Sequence, residues 1–210
     1  MTRCLQTTGQ GYFEEVEYVM PTLTENEICV RAVMTGVCRS DIDMMNGNFG
    51  PLPLQMQGHE GLGQVIGIGA NITDVNFGDI VATRGEPAYA DFYNVRKDEY
   101  VQVPEAHPRY IIEPVACGIN AVDAADCARR DKILIIGSGF LAWVAYHTLT
   151  KFKHLENVDV VGSSNIDLWG DRLLLGTTES YDVVIDLSGK YALGIDINLN
   201  NNALIVDAIG

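Results

Sequence analysis

The sequence predicts two domains of different kinds, a small β-barrel-like domain followed by an α/β domain with a parallel sheet. Three observations support this fold class. Short strand-like runs separated by glycine and asparagine turns fill the first half of the 210 residues. From about residue 113 onward, apolar strands alternate with helical segments, and a glycine-rich turn joins one of those strands to the next helix. We therefore place the domains at residues 1–112 and 113–210.

The first half contains several strand-like runs bounded by turn residues. β-Branched and other apolar residues dominate each run, and glycine, proline or asparagine stands between them. The runs cover residues 27–33, 61–70, 78–82, 90–96 and 100–104. Many short strands with turns of this kind are typical of an antiparallel barrel.

The second half alternates between two kinds of segment. An alanine-rich stretch at 113–128 and a stretch at 140–152 have helical patterns. The strand-like runs are short and apolar, and the asparagine-rich segment 198–202 between two of them is predicted to be a turn. These runs cover residues 132–136, 158–161, 181–187 and 203–208. Strands that alternate with helices indicate a parallel sheet.

Composition excludes several classes of partner. The chain has a formal net charge of -14, and both halves are acidic. Nucleic acids and anionic membrane surfaces attract the opposite charge, so neither is an expected partner. No run reaches the ~18 apolar residues of a membrane-spanning helix, and the N-terminus lacks the pattern of a signal peptide. Five widely spaced cysteines argue against a disulfide framework, so we expect a cytoplasmic protein.

The segment after the first strand of the second half has the pattern Gly-x-Gly-x-x-Ala, from Gly137 to Ala142. Gly137 permits a tight turn, Gly139 lets backbone N–H groups approach a pyrophosphate, and Ala142 allows close packing of helix and strand. With Phe140 and Leu141, which open the helix, these glycines form the predicted dinucleotide site. A tight turn in an α/β domain without a cofactor stays open as the alternative.

An acidic residue is expected at the end of the next strand, where it would hold the cofactor ribose. Here Ser163 and Ser164 follow the strand, and the nearby carboxylate of Asp159 lies inside it. The two hydroxyls are candidates for binding a ribose 2′-phosphate, although no arginine or lysine stands beside them. The sequence therefore leaves NAD and NADP open.

Four side chains that commonly bind metals stand in distinctive settings. Cys38 lies beside small polar groups, His59 and Glu60 stand between glycines, and Glu113 precedes a proline. Thiolate, imidazole and carboxylate are ligands of catalytic Zn²⁺, which keeps one position open for water or substrate. For Cys38 taken alone, an inert buried thiol is the alternative interpretation.

Taken in order, these motifs resemble the zinc-dependent alcohol dehydrogenases of the medium-chain dehydrogenase/reductase superfamily. The resemblance implies a GroES-like β-barrel followed by a Rossmann-like domain. It also implies that NAD or NADP serves to interconvert an alcohol or polyol with its carbonyl. The Glu-Pro pair is more similar to the polyol, glucose and threonine dehydrogenase branch. The motifs are Gly-Val-Cys-Arg-Ser-Asp from Gly36, Gly-His-Glu-Gly-Leu-Gly from Gly58, Gly-Asp-Ile-Val from Gly78, Ala-Tyr-Ala-Asp-Phe from Ala88, Glu113-Pro and the glycine-rich turn.

The resemblance also implies a set of zinc ligands. Cys38 and His59 match the first two positions and Glu113 the third, while Glu60 is the carboxylate that exchanges into the shell beside His59. Which of the two glutamates completes the shell stays open. The family's four-cysteine lobe is absent, so one catalytic zinc and no structural zinc are expected. A zinc-free quinone reductase of the same superfamily is disfavoured because the ligand set is complete.

Further roles implied by the resemblance fall on neighbouring residues. Ser40 matches the hydroxyl that passes a proton from the substrate, and Arg39 resembles the residue that meets the cofactor pyrophosphate. Asp41 matches the carboxylate that orients the ligand histidine. Asp43 stands where many members carry a proton-relay histidine, so it is the candidate relay here. The expected substrate is a small alcohol or carbonyl compound.

The second half of the sequence suggests the main alternative to an active enzyme. The chain ends at Gly210, in what is predicted to be the fifth Rossmann strand, so a shortened Rossmann-like domain is expected. A family member without turnover, which binds a nucleotide or metal or acts in oligomerisation, is the alternative function. The apolar strand at 203–210 is expected at the sheet edge, where it would pair two chains as a homodimer. Met44, Met45 and Phe49 are expected to fill the barrel core rather than line a substrate pocket.

Overall fold

The computed structural model of the protein describes residues 2–49, 57–85, 87–128, 131–189 and 196–208. The chain divides into two compact units, Met1–Glu113 and Pro114–Gly210. Antiparallel strands dominate the first unit, and parallel strands with helices make up the second.

The first unit contains a hairpin and an antiparallel sheet. The hairpin pairs β1 (Thr2–Thr7) with β2 (Phe13–Tyr18). The strands of the sheet are β3 (Glu27–Thr35), β4 (Gly61–Ile68), β5 (Ile80–Thr83), β6 (Phe92–Arg96) and β7 (Tyr100–Val103). Their order is β6-β3-β4-β5-β7. The strand-like runs predicted for the first half are therefore confirmed as strands.

The strand order explains why this sheet closes into a barrel. β6 and β7 lie at opposite ends of the order, yet only residues 97–99 separate them in the chain. So short a turn brings the two edges together, and the sheet has to curl. The predicted barrel-like fold is confirmed. Buried side chains fill its interior, among them Ile28, Val30, Val65, Val81 and Tyr93.

The sequence pattern does not predict the hairpin or the helix α1 (Arg39–Met45). Polar residues in β1 obscure its alternation of buried and exposed positions. The helix has only 7 residues, too few to be stable by helix propensity alone. Its start is fixed by a cap, in which the carboxylate of Asp41 accepts a 2.8 Å hydrogen bond from the backbone N–H of Cys38.

The second unit contains the predicted parallel sheet. Its central strand has both faces buried, because Ile133 and Ile135 belong to one apolar cluster and Leu134 and Ile136 to another. The strands are β8 (Ile133–Ile136), β9 (Val158–Val161), β10 (Leu173–Leu174), β11 (Ser180–Asp186) and β12 (Asn198–Asp207). They pair in parallel in the order β10-β9-β8-β11-β12.

Two helices of the second unit lie in the predicted segments: α2 (Glu113–Ala124) lies in 113–128, and α3 (Phe140–His147), which continues as a π-helix through Phe152, lies in 140–152. The short helix α4 (Ile166–Trp169) is not predicted by the sequence pattern. At Gly118 a β-carbon would lie 2.7 Å from Val144, so this glycine allows α2 and α3 to touch. No helix in the described part of the chain is both long and apolar enough to cross a membrane.

One prediction for the second unit is wrong. The segment 198–202 is part of β12, because Asn198 and Leu199 pair with Ser180 and Tyr181 of β11. The asparagines that suggested a turn are accommodated by a shift in register before Leu204, and Asn202 has φ +65° there. Of the predicted edge strand 203–210, residues 209 and 210 lie outside the described residues.

Candidate functional site

Three side chains with metal-binding atoms meet in the first unit. The ligand atoms of Cys38, His59 and Glu60 all lie within 4.8 Å of one another. Cys38 immediately precedes α1, and the other two residues immediately precede β4, so the starts of two elements bring them together. Glu60 is buried, whereas Cys38 and His59 are partly exposed. A thiol, an imidazole and a carboxylate form a donor set that suits Zn²⁺.

Two glycines make room for this cluster. Gly36 lies against Glu60, and a β-carbon at Gly36 would collide with the glutamate side chain. Gly58 has φ +94°, and a β-carbon there would lie 2.5 Å from the ring of Tyr89. Residues with side chains rarely adopt that backbone conformation. Both the backbone conformation and the close approach of Tyr89 therefore require glycine at position 58.

A buried aspartate supports the cluster. Asp41 is 1% exposed, and its Oδ2 accepts hydrogen bonds from the N–H of Cys38 at 2.8 Å and from the hydroxyl of Tyr89 at 2.9 Å. Its Oδ1 lies 3.7 Å from Nδ1 of His59 and has no hydrogen-bond partner among the described residues. A carboxylate that faces one imidazole nitrogen orients the ring and leaves the other nitrogen for a ligand. Sequence reasoning missed Tyr89, although the Ala-Tyr-Ala-Asp-Phe run contains it.

The charges of the cluster are coupled. A hydrogen bond with His59 lowers the pKa of the Cys38 thiol, against the opposing effect of burial. The same hydrogen bond, with the nearby carboxylates of Asp41 and Glu113, raises the pKa of His59 to about 9. Burial raises the pKa of Glu60, and Glu113 adds to that shift. The cluster therefore concentrates negative charge that a proton on His59 balances, and a divalent cation can take the place of that proton.

His59 also lines a cavity of about 580 Å³. Ser40 and Glu113 line the same cavity, so the predicted proton carrier and two predicted zinc ligands face one space. Glu113 is nevertheless outside the group of three whose ligand atoms lie within 4.8 Å, as far as the described residues go. The rest of the described lining is Met44, Arg84, Gly85, Arg96 and Glu99.

The expectation for the apolar residues of α1 and the following turn is partly wrong. Met44 lines the cavity instead of filling the barrel core, because α1 lies at the cavity wall. Phe49 is 50% exposed, while Met45 is partly buried. Sequence reasoning also missed Arg84 and Arg96, because no motif contains them and only the folded sheet brings the ends of their strands together.

Two predicted site residues on α1 bind each other. Nε of Arg39 lies 3.0 Å from Oδ2 of Asp43, and Asn48 donates a 2.8 Å hydrogen bond to the other carboxylate oxygen. The hydrogen bond from Arg39 lowers the pKa of Asp43. Neither Arg39 nor Asp43 is part of the described cavity lining. Their predicted roles, pyrophosphate binding and proton relay, remain predictions.

In the second unit, the glycine-rich turn joins the carboxyl end of β8 to α3. Gly137 has φ +114°, and a β-carbon there would lie 2.8 Å from the carbonyl oxygen of Leu187. Gly139 immediately precedes α3, and a β-carbon there would meet open space. Phe140, at the helix start, is exposed, and Leu141 follows it partly buried. A tight turn before an open helix N-terminus is the arrangement that binds a pyrophosphate in dinucleotide-binding folds.

Ser138, between the two glycines, ties this turn to the loop after β9. Its hydroxyl lies 2.9 Å from the hydroxyl of Ser164. Its carbonyl oxygen accepts hydrogen bonds from Nδ2 of Asn165 at 2.8 Å and from Nε1 of Trp169 at 3.0 Å. Ser138 itself is buried. Its hydrogen bonds therefore connect the glycine-rich turn to the loop that contains the predicted ribose contacts.

The loop after β9 presents hydroxyls rather than a carboxylate. Ser163 and Ser164 are both exposed, and Ser164 is already bonded to Ser138. Asp159 accepts a 2.9 Å hydrogen bond from the hydroxyl of Tyr181 within the sheet. That carboxylate is therefore engaged in the fold, in agreement with its position inside the strand.

Comparison with known proteins gives a consistent match. Residues 24–108 match the alcohol dehydrogenase GroES-like domain. The chain is 25% identical to D-arabitol-phosphate dehydrogenase of Enterococcus avium, over 86% of this chain and 60% of that protein. It is 25% identical to sorbitol dehydrogenase of Halalkalibacterium halodurans, over 75% of this chain and 54% of that protein. The chain thus spans between half and two thirds of the length of these relatives.

Solved structures are similar over most of the chain. Acetophenone reductase of Geotrichum candidum, in complex with NAD, matches with a TM-score of 0.72 and 20% identity, over 88% of this chain and 68% of that one. The 2R,3R-butanediol dehydrogenase of Bacillus subtilis matches with a TM-score of 0.69 and 16% identity, over 92% and 72%. At these identities the likeness establishes the fold.

A GroES-like barrel followed by a parallel α/β unit with a Gly-x-Gly-x-x-Ala turn is the architecture of the medium-chain dehydrogenase/reductase superfamily. The matching domain and the polyol dehydrogenase relatives make this chain similar to alcohol and polyol dehydrogenases of that superfamily.

Proposed function

We propose that the protein is an oxidoreductase that uses zinc and NAD(P) to interconvert an alcohol or polyol with its carbonyl compound. The observation that carries this proposal is the cluster of Cys38, His59 and Glu60 within 4.8 Å, together with the shared cavity of His59 and Ser40. Relatives named for sorbitol and arabitol phosphate support a polyol as the substrate class.

The residues present fit one zinc ion. Cys38 and His59 supply a thiolate and an imidazole. Glu60, whose carboxylate lies within 4.8 Å of both, would supply a third ligand. Glu113 lines the same cavity and is the alternative third ligand. The lowered pKa of Cys38 favours the thiolate that a metal requires. When bound, zinc would supply Lewis-acid polarisation of a substrate oxygen, and the nicotinamide would accept or return hydride.

The remaining residues act on position and protons. Ser40, which lines the cavity, would relay a proton: in oxidation its oxygen accepts the proton of the substrate hydroxyl as its own hydroxyl proton passes to solvent, and reduction reverses both transfers. Asp41 holds the imidazole of His59 in orientation, and Tyr89 holds Asp41. We also propose Asp43 as a second proton carrier.

The cofactor would be held mainly by backbone groups of the second unit. Gly137 and Gly139 shape the turn, and the N–H groups of Phe140 and Leu141 lie at the helix N-terminus that suits a pyrophosphate. Ser163 and Ser164 are the proposed ribose contacts, and the absence of a carboxylate beside them leaves both NAD and NADP as candidates.

The experiment combines metal analysis, cofactor titration and turnover on the full chain. We expect about one zinc per chain, quenching or enhancement of NADH or NADPH fluorescence, and zinc-dependent oxidation of sorbitol or a related polyol. Cys38→Ala should lose zinc and turnover, whereas Cys127→Ala, at another partly exposed thiol, should keep both. A folded Cys38→Ala protein that retains its zinc contradicts the assignment, and zinc and cofactor binding without turnover would favour a family member that has lost activity.

Compartment and assembly complete the proposal. We propose a cytoplasmic location, which the free thiols of Cys4, Cys29, Cys38 and Cys127 support. β12 lies at the edge of the described sheet, with Leu204 43% and Ile205 57% exposed. We therefore retain a homodimer through this edge, which light scattering would test, since an unpaired apolar edge strand invites pairing.

A further inference from the structure

The cavity that contains Ser40 and His59 has two arginines in its described wall, Arg84 and Arg96. The chain as a whole has a net charge of -14, so its overall field repels anions. Two guanidinium groups nevertheless offer N–H donors in one cavity wall, whose described lining also includes the carboxylates of Glu99 and Glu113. The proposed alcohol chemistry requires neither of them, because neither belongs to the cluster of Cys38, His59 and Glu60.

A carboxylate draws the two guanidinium groups to the same point. Oε1 of Glu99 lies 3.8 Å from Nη1 of Arg84 and 3.2 Å from Nη2 of Arg96. Two cations thus share one carboxylate of the cavity wall. Asp98 also pairs with Arg96, at 3.4 Å, so two carboxylates offset the two guanidinium charges, and an anion would be bound here through guanidinium N–H donors rather than through an excess of charge.

Backbone hydrogen bonds fix the positions from which these side chains extend. Arg84 directly follows β5, and its N–H donates a 2.8 Å hydrogen bond to the carbonyl of Glu99. The N–H of Glu99 donates in turn to the carbonyl of Arg96 at 3.0 Å. Thr83, which precedes Arg84, pairs in the sheet with Tyr100, which follows Glu99. The arginine positions are therefore set by the closure of the barrel, not by a loose loop.

The guanidinium groups have donors to spare. Each carries five N–H groups in a planar fork that fits a phosphate, and Glu99 lies near one terminal nitrogen of each. The side chain of Arg84 is 72% exposed and that of Arg96 63% exposed, and both residues line the cavity, so the donors that Glu99 and Asp98 do not engage are accessible to a ligand. A volume of about 580 Å³ is within the range that holds a small organic ligand.

We propose that Arg84 and Arg96 form an anion subsite that binds the phosphate of a phosphorylated sugar alcohol, while the hydroxyl to be oxidised lies at the Ser40 and His59 end. This assignment of substrate class rests on the proposed function for its oxidation step, but not for the binding of phosphate. Phosphate is favoured over a carboxylate because a dianion with three oxygens can engage two guanidinium forks at once.

Binding of three probes to the zinc-loaded full chain tests the subsite: D-sorbitol 6-phosphate, neutral D-sorbitol, and gluconate as the carboxylate. We expect the phosphate to bind at least about tenfold more tightly than sorbitol by calorimetry, with a preference that weakens as salt is added. Arg84→Gln and Arg96→Gln should each lose about tenfold in affinity for the phosphate, and the double variant should lose the preference. Affinity for sorbitol should stay unchanged.

Matched variants control for folding and for general charge. Arg3→Gln removes an arginine of similar exposure, 65%, whose carboxylate partner is Asp91, and it should keep the preference for phosphate. Arg84→Lys with Arg96→Lys keeps both charges and should retain a weakened, salt-sensitive preference. Equal affinity for sorbitol and its phosphate, equal affinity for gluconate, no binding of the phosphate, or a preference that survives in the double glutamine variant overturns the subsite.

The same preparations separate this subsite from the proposed function. Zinc content and oxidation of sorbitol are measured beside the binding experiments. Zinc and turnover without a preference for phosphate would overturn the anion subsite alone. A preference for phosphate that depends on Arg84 and Arg96, in a protein without zinc or turnover, would overturn the oxidoreductase assignment alone.

Discussion

The two units of this protein prepare their proposed sites by different means. In the barrel unit, side chains form the proposed site, because Cys38, His59 and Glu60 converge. Asp41 accepts a hydrogen bond from the N–H of Cys38 and faces the imidazole of His59. In the α/β unit, the backbone provides the site, through a glycine turn and the start of a helix. Side-chain sites depend on chemical identity, whereas backbone sites depend on conformation and on the space left by absent side chains.

The largest expected effect tests the side-chain site. His59→Ala removes the imidazole that Cys38 and Asp41 engage, so we expect loss of zinc and of measurable turnover, with NADH binding retained. Metal analysis and fluorescence titration check this. His107→Ala is the control, because His107 lies outside the described cavity lining and accepts a hydrogen bond from the N–H of Arg109 at the start of a short helix. Loss of cofactor binding in His59→Ala would show that the cofactor site depends on the side chains of the zinc site, which would contradict the comparison.

The next effect tests the backbone site. Gly137→Val should lose cofactor binding and cost about 1–3 kcal/mol of stability, since valine is strained at φ +114° and its β-carbon would meet the carbonyl of Leu187. Zinc content should not change. Gly139→Ala, at a position where a β-carbon meets open space, should keep the melting temperature of the parent. If Gly137→Val melted at the parent temperature, the conformational argument would be wrong.

A smaller effect is expected from Tyr89, which supports the side-chain site through its hydrogen bond to Asp41. Tyr89→Phe removes the hydroxyl that donates to Asp41, and we expect about tenfold weaker zinc affinity. The free energy of unfolding should fall by about 1 kcal/mol. Tyr100→Phe removes a similar 2.9 Å hydrogen bond, to Asp74, and should leave zinc affinity unchanged. Competition with a chelator measures the affinities, and equal zinc binding in both variants would assign Tyr89 a purely structural role.

The smallest effect concerns the support of the glycine turn. Ser138→Ala removes the hydroxyl that bonds to Ser164, and we expect stability to fall by about 1 kcal/mol, because the backbone contacts of the turn remain. Cofactor affinity should fall by only a few-fold. Titration with NADH and NADPH checks the result. A complete loss of binding would show that this turn depends on side chains as strongly as the barrel site does.

The sequence predicted most of the strands but not the elements that brace the cluster. The run Ile133–Ile136 is continuously apolar, a pattern that favours a buried strand, and it forms β8. The sequence pattern does not predict the 7-residue helix α1, because its start depends on the cap made by Asp41. The asparagines at 198–202 suggested a turn, and pairing with β11 overrode that local preference.

The sequence by itself determined the two-domain order, the ligand types at Cys38 and His59, and the glycine turn, because each depends on residue identity or short spacing. Only the tertiary structure decided that Glu60, and not Glu113, lies in the close group, and that Arg84 and Arg96 face the same cavity as Ser40. These placements depend on barrel closure, which brings together strand ends far apart in the chain. No local pattern encodes such a contact.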